Sequence, residues 1–206
     1  MPPLPFLDTT LFRWLNLSAA NPLLDRLFPV LTSLHHQTWF VATLASAALV
    51  ALWRGNRRVR TAVLVLALSA GMSDAFCSRA VKRFIQRERP CQAVVHGRPA
   101  PASFPVRVVR KENCPGSQGF PSNHAANTMA VAAAAWYLCR RRFRWAWFLL
   151  PLIIGWTRVY LGYHYPSDVL GGWLVGGLIA AILLRLFRKA LAPSSGPFSE
   201  TAGNAR

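Results

Sequence analysis

The sequence predicts an all-helical integral membrane protein, a bundle of five transmembrane helices preceded by N-terminal interfacial helices. Three observations carry that reading. Apolar residues make up 53% of the 206 positions and charged ones only 15%, too greasy a balance for a water-soluble globule of this size. Several apolar runs approach the roughly 20 residues that cross a bilayer as a helix. Blocks of Lys and Arg fall between those runs, where loops at a membrane surface would sit.

Taken in order, 6–34 holds two shorter apolar patterns that carry Asp8, Arg13, Asp25 and Arg26 and break at Asn21 and Pro22. This segment reads as amphipathic helices lying in the interface, with a sixth span as the alternative. The five expected spans are 36–53, 59–77, 123–139, 145–161 and 168–187. RGNRRVR at 54–60, RRRFR at 140–144, and Arg185, Arg188 and Lys189 punctuate them. The positive-inside rule makes those connections cytoplasmic and puts 78–122 and 158–167 outside. The stretch 91–120, rich in Pro, Gly and Ser, reads as a periplasmic loop. Residues 1–192 form one membrane domain on this reading, and 193–206 a disordered tail. MPPLPFLDTT lacks the basic start and cleavage site of a signal peptide, so no cleaved N-terminus is expected.

The formal charge of +17, from 24 Lys+Arg against 7 Asp+Glu, would suggest nucleic acid in a soluble chain. Interleaved with apolar runs, it points to anionic lipid and phosphate instead, so no nucleic-acid partner is expected. Seven scattered acids leave little material for a carboxylate cage around a metal ion, and none is expected. Cys77 and Cys139 fall in apolar stretches and read as core thiols. Cys91 and Cys114 bracket the polar loop and can pair if it faces an oxidising compartment.

Three segments carry chemistry. In AVKRFIQRERP (80–90), Lys82 and Arg89 stand seven residues apart, two turns along one face if the second span continues to Pro90; two such cations can converge on one anion. In GFPSNHAANTMAV (119–131), Ser122 is placed as N-cap of an Ala-rich helix whose first amides form an anion site, and His124 in that turn can protonate a departing oxygen. In TRVYLGYHYPSDVLGG (157–172), Pro166 suits a first helical position. Asp168 can then accept the Nδ1 proton of His164 and leave Nε2 as a free lone pair, while Arg158 adds a planar fork for phosphate oxygens. Each segment alone has a plain reading as snorkelling anchor, capped helix or structural hydrogen bond. On the expected topology all three end at one membrane face, and together they equip metal-free phosphoryl transfer through a phosphohistidine.

At these residues the sequence resembles the type 2 phosphatidic acid phosphatase superfamily, whose signatures are KxxxxxxRP, PSGH and SRxxxxxHxxxD. Here they read KRFIQRERP (82–90), PSNH (121–124) and TRVYLGYHYPSD (157–168), in the family's order. The resemblance implies that His164 attacks phosphorus, Asp168 orients it and His124 protonates the leaving group. Lys82, Arg89, Ser122 and Arg158 would hold the phosphoryl oxygens, with inhibition by vanadate. Two positions depart from the pattern. Thr157 keeps the hydroxyl of the family's Ser. Asn123 replaces Gly; it tolerates left-handed backbone, and its side chain could touch the substrate.

The resemblance further implies a lipid phosphatase of the bacterial inner membrane whose active site faces the periplasm and which needs no cofactor. Undecaprenyl diphosphate leads as substrate, followed by phosphatidylglycerol phosphate, phosphatidic acid and lipid A 1-phosphate. A lipid phosphotransferase of the same superfamily and a noncatalytic anionic-lipid-binding protein are the alternatives. GGWLVGG (171–177) reads as close helix packing. Asp74 would be costly inside a span if unpaired, and His35, His36 and His96 lack a partner nameable from sequence.

Overall fold

A computed structural model describes residues 6–98, 105–139 and 142–192; the expected disordered tail, 193–206, lies outside them. The described residues form helices and connecting turns, with no strand among them. In chain order the helices are α1 (Phe6–Arg13), α2 (Pro22–Ser33), α3 (Thr38–Arg54), α4 (Arg57–Ala75), α5 (Lys82–Phe84), α6 (Pro90–Val95), α7 (Asn123–Leu138), α8 (Leu149–Tyr160), α9 (Pro166–Leu186) and α10 (Arg188–Leu191). Five of them, α3, α4, α7, α8 and α9, occupy the apolar runs. By length and composition, the helical run Arg57–Phe84 and Pro166–Leu186 could cross a membrane; Thr38–Arg54 is apolar but shorter.

Local chemistry sets the helix starts. Asn21 caps α2, its Oδ1 accepting the Leu23 N–H at 2.8 Å ahead of Pro22 at the first helical position. Asn56 caps α4 in the same way through the Val59 N–H at 3.0 Å. Pro166 opens α9, and Asp168 in its first turn reaches back to the Tyr165 N–H at 2.9 Å. At the other end of α8 the chain turns through Gly162 with φ +79°. A Cβ there would also meet the Arg107 carbonyl oxygen at 2.5 Å, so the turn requires glycine.

Helix α7 is the central element, packed on α9, α4 and α8. Its face is built from alanine: Ala125, Ala126, Ala130, Ala132 and Ala134 are fully buried. Opposite them, a Cβ on Gly176 would stand 2.1 Å from the Ala126 carbonyl oxygen, and one on Gly172 2.5 Å from that of Ser122. Small residues thus let two backbones approach, the packing anticipated for GGWLVGG. Large apolar side chains point the other way. Leu170, Leu174, Leu178, Ile182 and Leu186 form an exposed stripe at four-residue spacing along α9, and α3 buries none of its residues.

Two expected elements differ. The second apolar helix does not run to Pro90: it ends at Phe84, Ile85–Arg89 is non-helical, and Pro90 opens α6. Proline pushes the preceding residue into extended backbone, and Arg89 has ψ 150°. Lys82 and Arg89 are therefore not two turns apart on one helix. For the same reason the expected loop 91–120 begins as α6 and includes a short 3₁₀ turn at Lys111–Asn113. A disulfide joins Cys91 to Cys114, while Cys77 is a buried free thiol.

The segment 6–34 does more than lie at an interface. Phe12 of α1 is fully buried in a cluster with Ala125, Val159, Tyr165 and Val169, and Phe28 of α2 packs with Tyr160, Leu161 and Tyr163. Both helices thereby rest on the end of the bundle where α8 turns into α9.

Candidate active site

Backbone bonds hold the three motif segments together. The Gly119 N–H donates to the Arg87 carbonyl at 2.7 Å and the Ser122 N–H to the Asp168 carbonyl at 2.9 Å, while within the third segment the His164 N–H donates to the Arg158 carbonyl at 3.2 Å. A cavity of about 940 Å³ opens there, lined by Lys82, Arg89, Asn123, His124, Arg158 and His164 among others. Ser122 and Asp168, both fully buried, are placed behind these side chains.

His164 sits in the short turn between α8 and α9 and is 1% exposed. Its Nε2 lies 2.6 Å from Nη1 of Arg89. A guanidinium can only donate, so Nε2 is the unprotonated nitrogen and the proton is on Nδ1. Nδ1 stands 3.4 Å from Asp168 Oδ2 without the alignment of a hydrogen bond. The expected Nδ1–carboxylate bond is thus a looser charge contact, because the Asp168 oxygens are engaged elsewhere: Oδ2 by the Tyr165 N–H and Oδ1 by Arg87 Nη1 at 2.7 Å. Burial, reinforced by the positive charges of Arg89, Arg158 and Lys82, holds the His164 pKa well below the usual histidine range. The ring is neutral at physiological pH.

Arg89 is fixed on three sides. Its Nε donates to the Ser117 carbonyl at 2.7 Å, Nη2 to Ser117 Oγ at 3.0 Å, and Nη1 also to the Tyr163 carbonyl at 3.2 Å. Burial lowers its pKa to about 10, which leaves it charged at neutral pH. Arg158, 4% exposed, donates from Nη1 to Thr32 Oγ1 at 2.9 Å and lies over the Tyr163 ring at 4.7 Å; its Nε has no hydrogen-bond partner among the described residues. Ser122 precedes α7 as expected but makes no side-chain cap bond, and its buried Oγ likewise has no partner among the described residues.

Asn123 does not use the left-handed backbone that its place in the motif suggested: it is the first residue of α7, and no described residue other than glycine has positive φ. Its Nδ2 donates to Asp74 Oδ1 at 2.8 Å and to Ser78 Oγ at 2.6 Å. Asp74 is thus partnered, with Asn127 as a further donor at 3.3 Å.

Several site residues escape the sequence motifs. His35, read from sequence as lacking a partner, packs edge-on against His124 at 4.9 Å between ring centroids. Thr32 holds Arg158. Arg87, inside the variable stretch of the first motif, bridges Asp168 and Asp8 at 2.7 Å each and covers the Tyr165 ring at 4.5 Å. Asp8 in turn accepts from the Ser167 N–H at 2.8 Å and from its Oγ at 2.6 Å, at the start of α9. The available signal was an acid inside an apolar helix, which is costly to bury unless paired. No three His, Cys, Asp or Glu side chains gather as a metal-ligand set among the described residues.

The described residues form an all-helical bundle with a basic cavity at one end, in which a neutral imidazole faces a guanidinium and a second histidine lines the same wall, the chemistry of an anion-binding site. The model of the PAP2 superfamily matches residues 61–192, and the chain belongs to that superfamily. It is 33% identical over 121 residues to the lipid A 4'-phosphatase of Bacteroides thetaiotaomicron, which covers 56% of this chain and 49% of that protein. It is 34% identical over 74 residues to an undecaprenyl-diphosphatase of Bacillus subtilis, covering 36% and 37% of the two chains. The alignments thus span half or less of these relatives. Among solved structures, Aquifex aeolicus LpxE superimposes with a TM-score of 0.64 at 24% identity over 90% of this chain and 99% of that one. The PAP2-type phosphatidylglycerolphosphate phosphatase of Bacillus subtilis gives 0.63 at 21% identity over 89% and 85%. Both share the fold.

Proposed function

We propose that the protein is a metal-independent lipid phosphate or diphosphate phosphatase that works through a phosphohistidine on His164. The observation that carries this is the neutral, buried His164 with its Nε2 turned toward the Arg89 guanidinium. As a phosphoryl group enters, Arg89 transfers its hydrogen bond from Nε2 to a phosphate oxygen, which frees the lone pair. Nε2 then attacks phosphorus, the bond to the leaving oxygen breaks, and that oxygen takes from His124 a proton that the entering phosphate monoanion has passed to the ring. Lys82 and Arg158 hold the equatorial oxygens, with the buried Ser122 hydroxyl behind them. The Asp168 carboxylate offsets the positive charge that develops on the imidazole. Water next attacks the phosphohistidine, its proton passes to His124, and phosphate leaves.

The lipid part of the substrate follows from the rest of the cavity. Leu31, Leu34, Phe40, Leu44, Val131 and Ile154 continue it as an apolar groove, and 940 Å³ is at the large end of the roughly 300–1,000 Å³ of ligand sites. A polar headgroup end and an apolar groove suit a phosphorylated lipid. The similarities to lipid A phosphatases and undecaprenyl-diphosphatases support that class; undecaprenyl diphosphate is the first substrate to test. We place five membrane spans on α3, α4, α7, α8 and α9, and the active site on the periplasmic side of a bacterial inner membrane. The Arg-rich connections at the far end and the disulfide at the site end support this orientation.

The test is phosphate release from purified lipid phosphates and diphosphates, wild type against His164→Ala. Release should be nearly abolished in the variant, fall by about 10²–10⁴-fold in His124→Ala, persist in chelator and stop with vanadate. Loss of activity in EDTA, or full activity in His164→Ala, would overturn the mechanism.

A further inference from the structure

A second cavity, of about 650 Å³, lies at the opposite end of the bundle, lined by Arg58, Trp136, Tyr137, Arg144, Arg188 and Leu191 among others. The 21 residues of α9 put it about 30 Å from the active site, close to the thickness of a bilayer's hydrocarbon core.

Among the described residues its charge is uncompensated. The acids among the described residues are Asp8, Asp25, Asp74, Glu88, Glu112 and Asp168, and all of them belong to the active-site end. The arginines in ion pairs among the described residues, Arg87, Arg98 and Arg107, are at that end as well. Most basic residues at the far end point into solvent, but Arg58 and Arg144 are drawn half inside the protein. Half-burying two guanidiniums without a counter-charge is unfavourable unless an anion arrives. Arg144 is also held in place: its guanidinium lies over Trp136 at 4.5 Å and beside Trp145 at 5.8 Å. The buried Nε1 of Trp136 is a donor with no acceptor among the described residues. The neighbouring Phe143 and Trp145 are 79% and 62% exposed, as aromatics at a membrane surface are.

We infer that this cavity binds the phosphate-bearing headgroup of an anionic membrane phospholipid from the leaflet opposite the active site. Arg58 and Arg144 supply paired N–H donors to the phosphodiester oxygens, Arg188 closes the rim, and the acyl chains run along the apolar outer face. A phosphodiester is not a monoester substrate, so this ligand is retained rather than turned over. The site is independent of the proposed catalysis.

Purified full-length protein reconstituted in nanodiscs of phosphatidylcholine with a minor fraction of phosphatidylglycerol, followed by extraction and mass spectrometry of co-purified lipid, tests this. Wild type should enrich phosphatidylglycerol by about tenfold over its share of the disc, a preference on the scale of one or two cation–lipid contacts. Arg58→Gln/Arg144→Gln should remove the enrichment, and Arg188→Gln, at an exposed position, should reduce it with no demand on folding. His164→Ala should keep it in full, and so should Arg142→Gln, an exposed arginine at the same end. Equal enrichment in wild type and in both cavity variants would overturn the proposal, as would equal loss in Arg142→Gln, which would mean diffuse charge. Displacement of phosphatidylglycerol by millimolar inorganic phosphate would assign the cavity to a free anion instead.

Discussion

At the scale of single residues the candidate site combines a buried histidine kept neutral with a buried carboxylate, Asp168, paired with Arg87. Because burial holds His164 below its ordinary pKa, the folded protein resists protonating it while the unfolded chain takes up a proton near pH 6.5. Stability attributable to this residue is present above that pH and declines as the pH falls below it. A thermal melt series from pH 8 to 5 should show this decline, and it should shrink in His164→Asn. For the same reason the acid limb of the pH–rate profile should lie below 6.5. In the proposed mechanism Arg87 acts through Asp168, which it contacts. Arg87→Met leaves a fully buried carboxylate and Asp8 without their counter-charge, which should destabilise the protein by about 3 kcal/mol. It should lower kcat more than it raises KM, with partial rescue by Arg87→Lys. The motif histidines, cations and Asp168 were legible because each motif is local in sequence and each residue type is unusual beside apolar runs. Asp8, Thr32, His35 and Arg87 were not, since their partners lie between 79 and 159 positions away and no periodicity encodes such pairings.

Elements explain how the site is held in place. The contact of α7 with α9 depends on small residues. Gly176→Ala would drive a methyl into the Ala126 carbonyl oxygen, so the helices must separate. A loss of about 1–3 kcal/mol is expected, measurable as a fall in Tm; Gly177→Ala, which meets only a flexible Met129 side chain at 4.0 Å, should be close to neutral. The apolar runs gave the helices to within a few residues because hydrophobicity sets them. Where the second helix stops is a different matter. Pro90 can end one helix or begin another, and that depends on Arg89 finding Ser117 and Tyr163, contacts 28 and 74 positions away.

On the scale of the whole molecule, packing is turned inside out relative to a soluble domain: alanine and glycine within, leucine and tryptophan outside. That arrangement follows when hydrocarbon is the solvent and close backbone approach, not exclusion of water, holds helices together. The charge is polarised along the same axis, with the described acids gathered at the catalytic end. Impermeant thiol reagents applied from outside cells should label a cysteine introduced at Gly116 and spare one introduced at the exposed Arg57; the reverse pattern would invert the proposed orientation.

The Cys91–Cys114 bond fastens the helix that begins beside Arg89 to the strand of chain that ends in Ser117, whose carbonyl and hydroxyl grip the same guanidinium. Reducing that bond should loosen the grip on Arg89. If the site faces an oxidising space, as proposed, formation of this bond would double as a maturation step. Dithiothreitol should accordingly behave as a slow inhibitor, one to which Cys91→Ser/Cys114→Ser is indifferent.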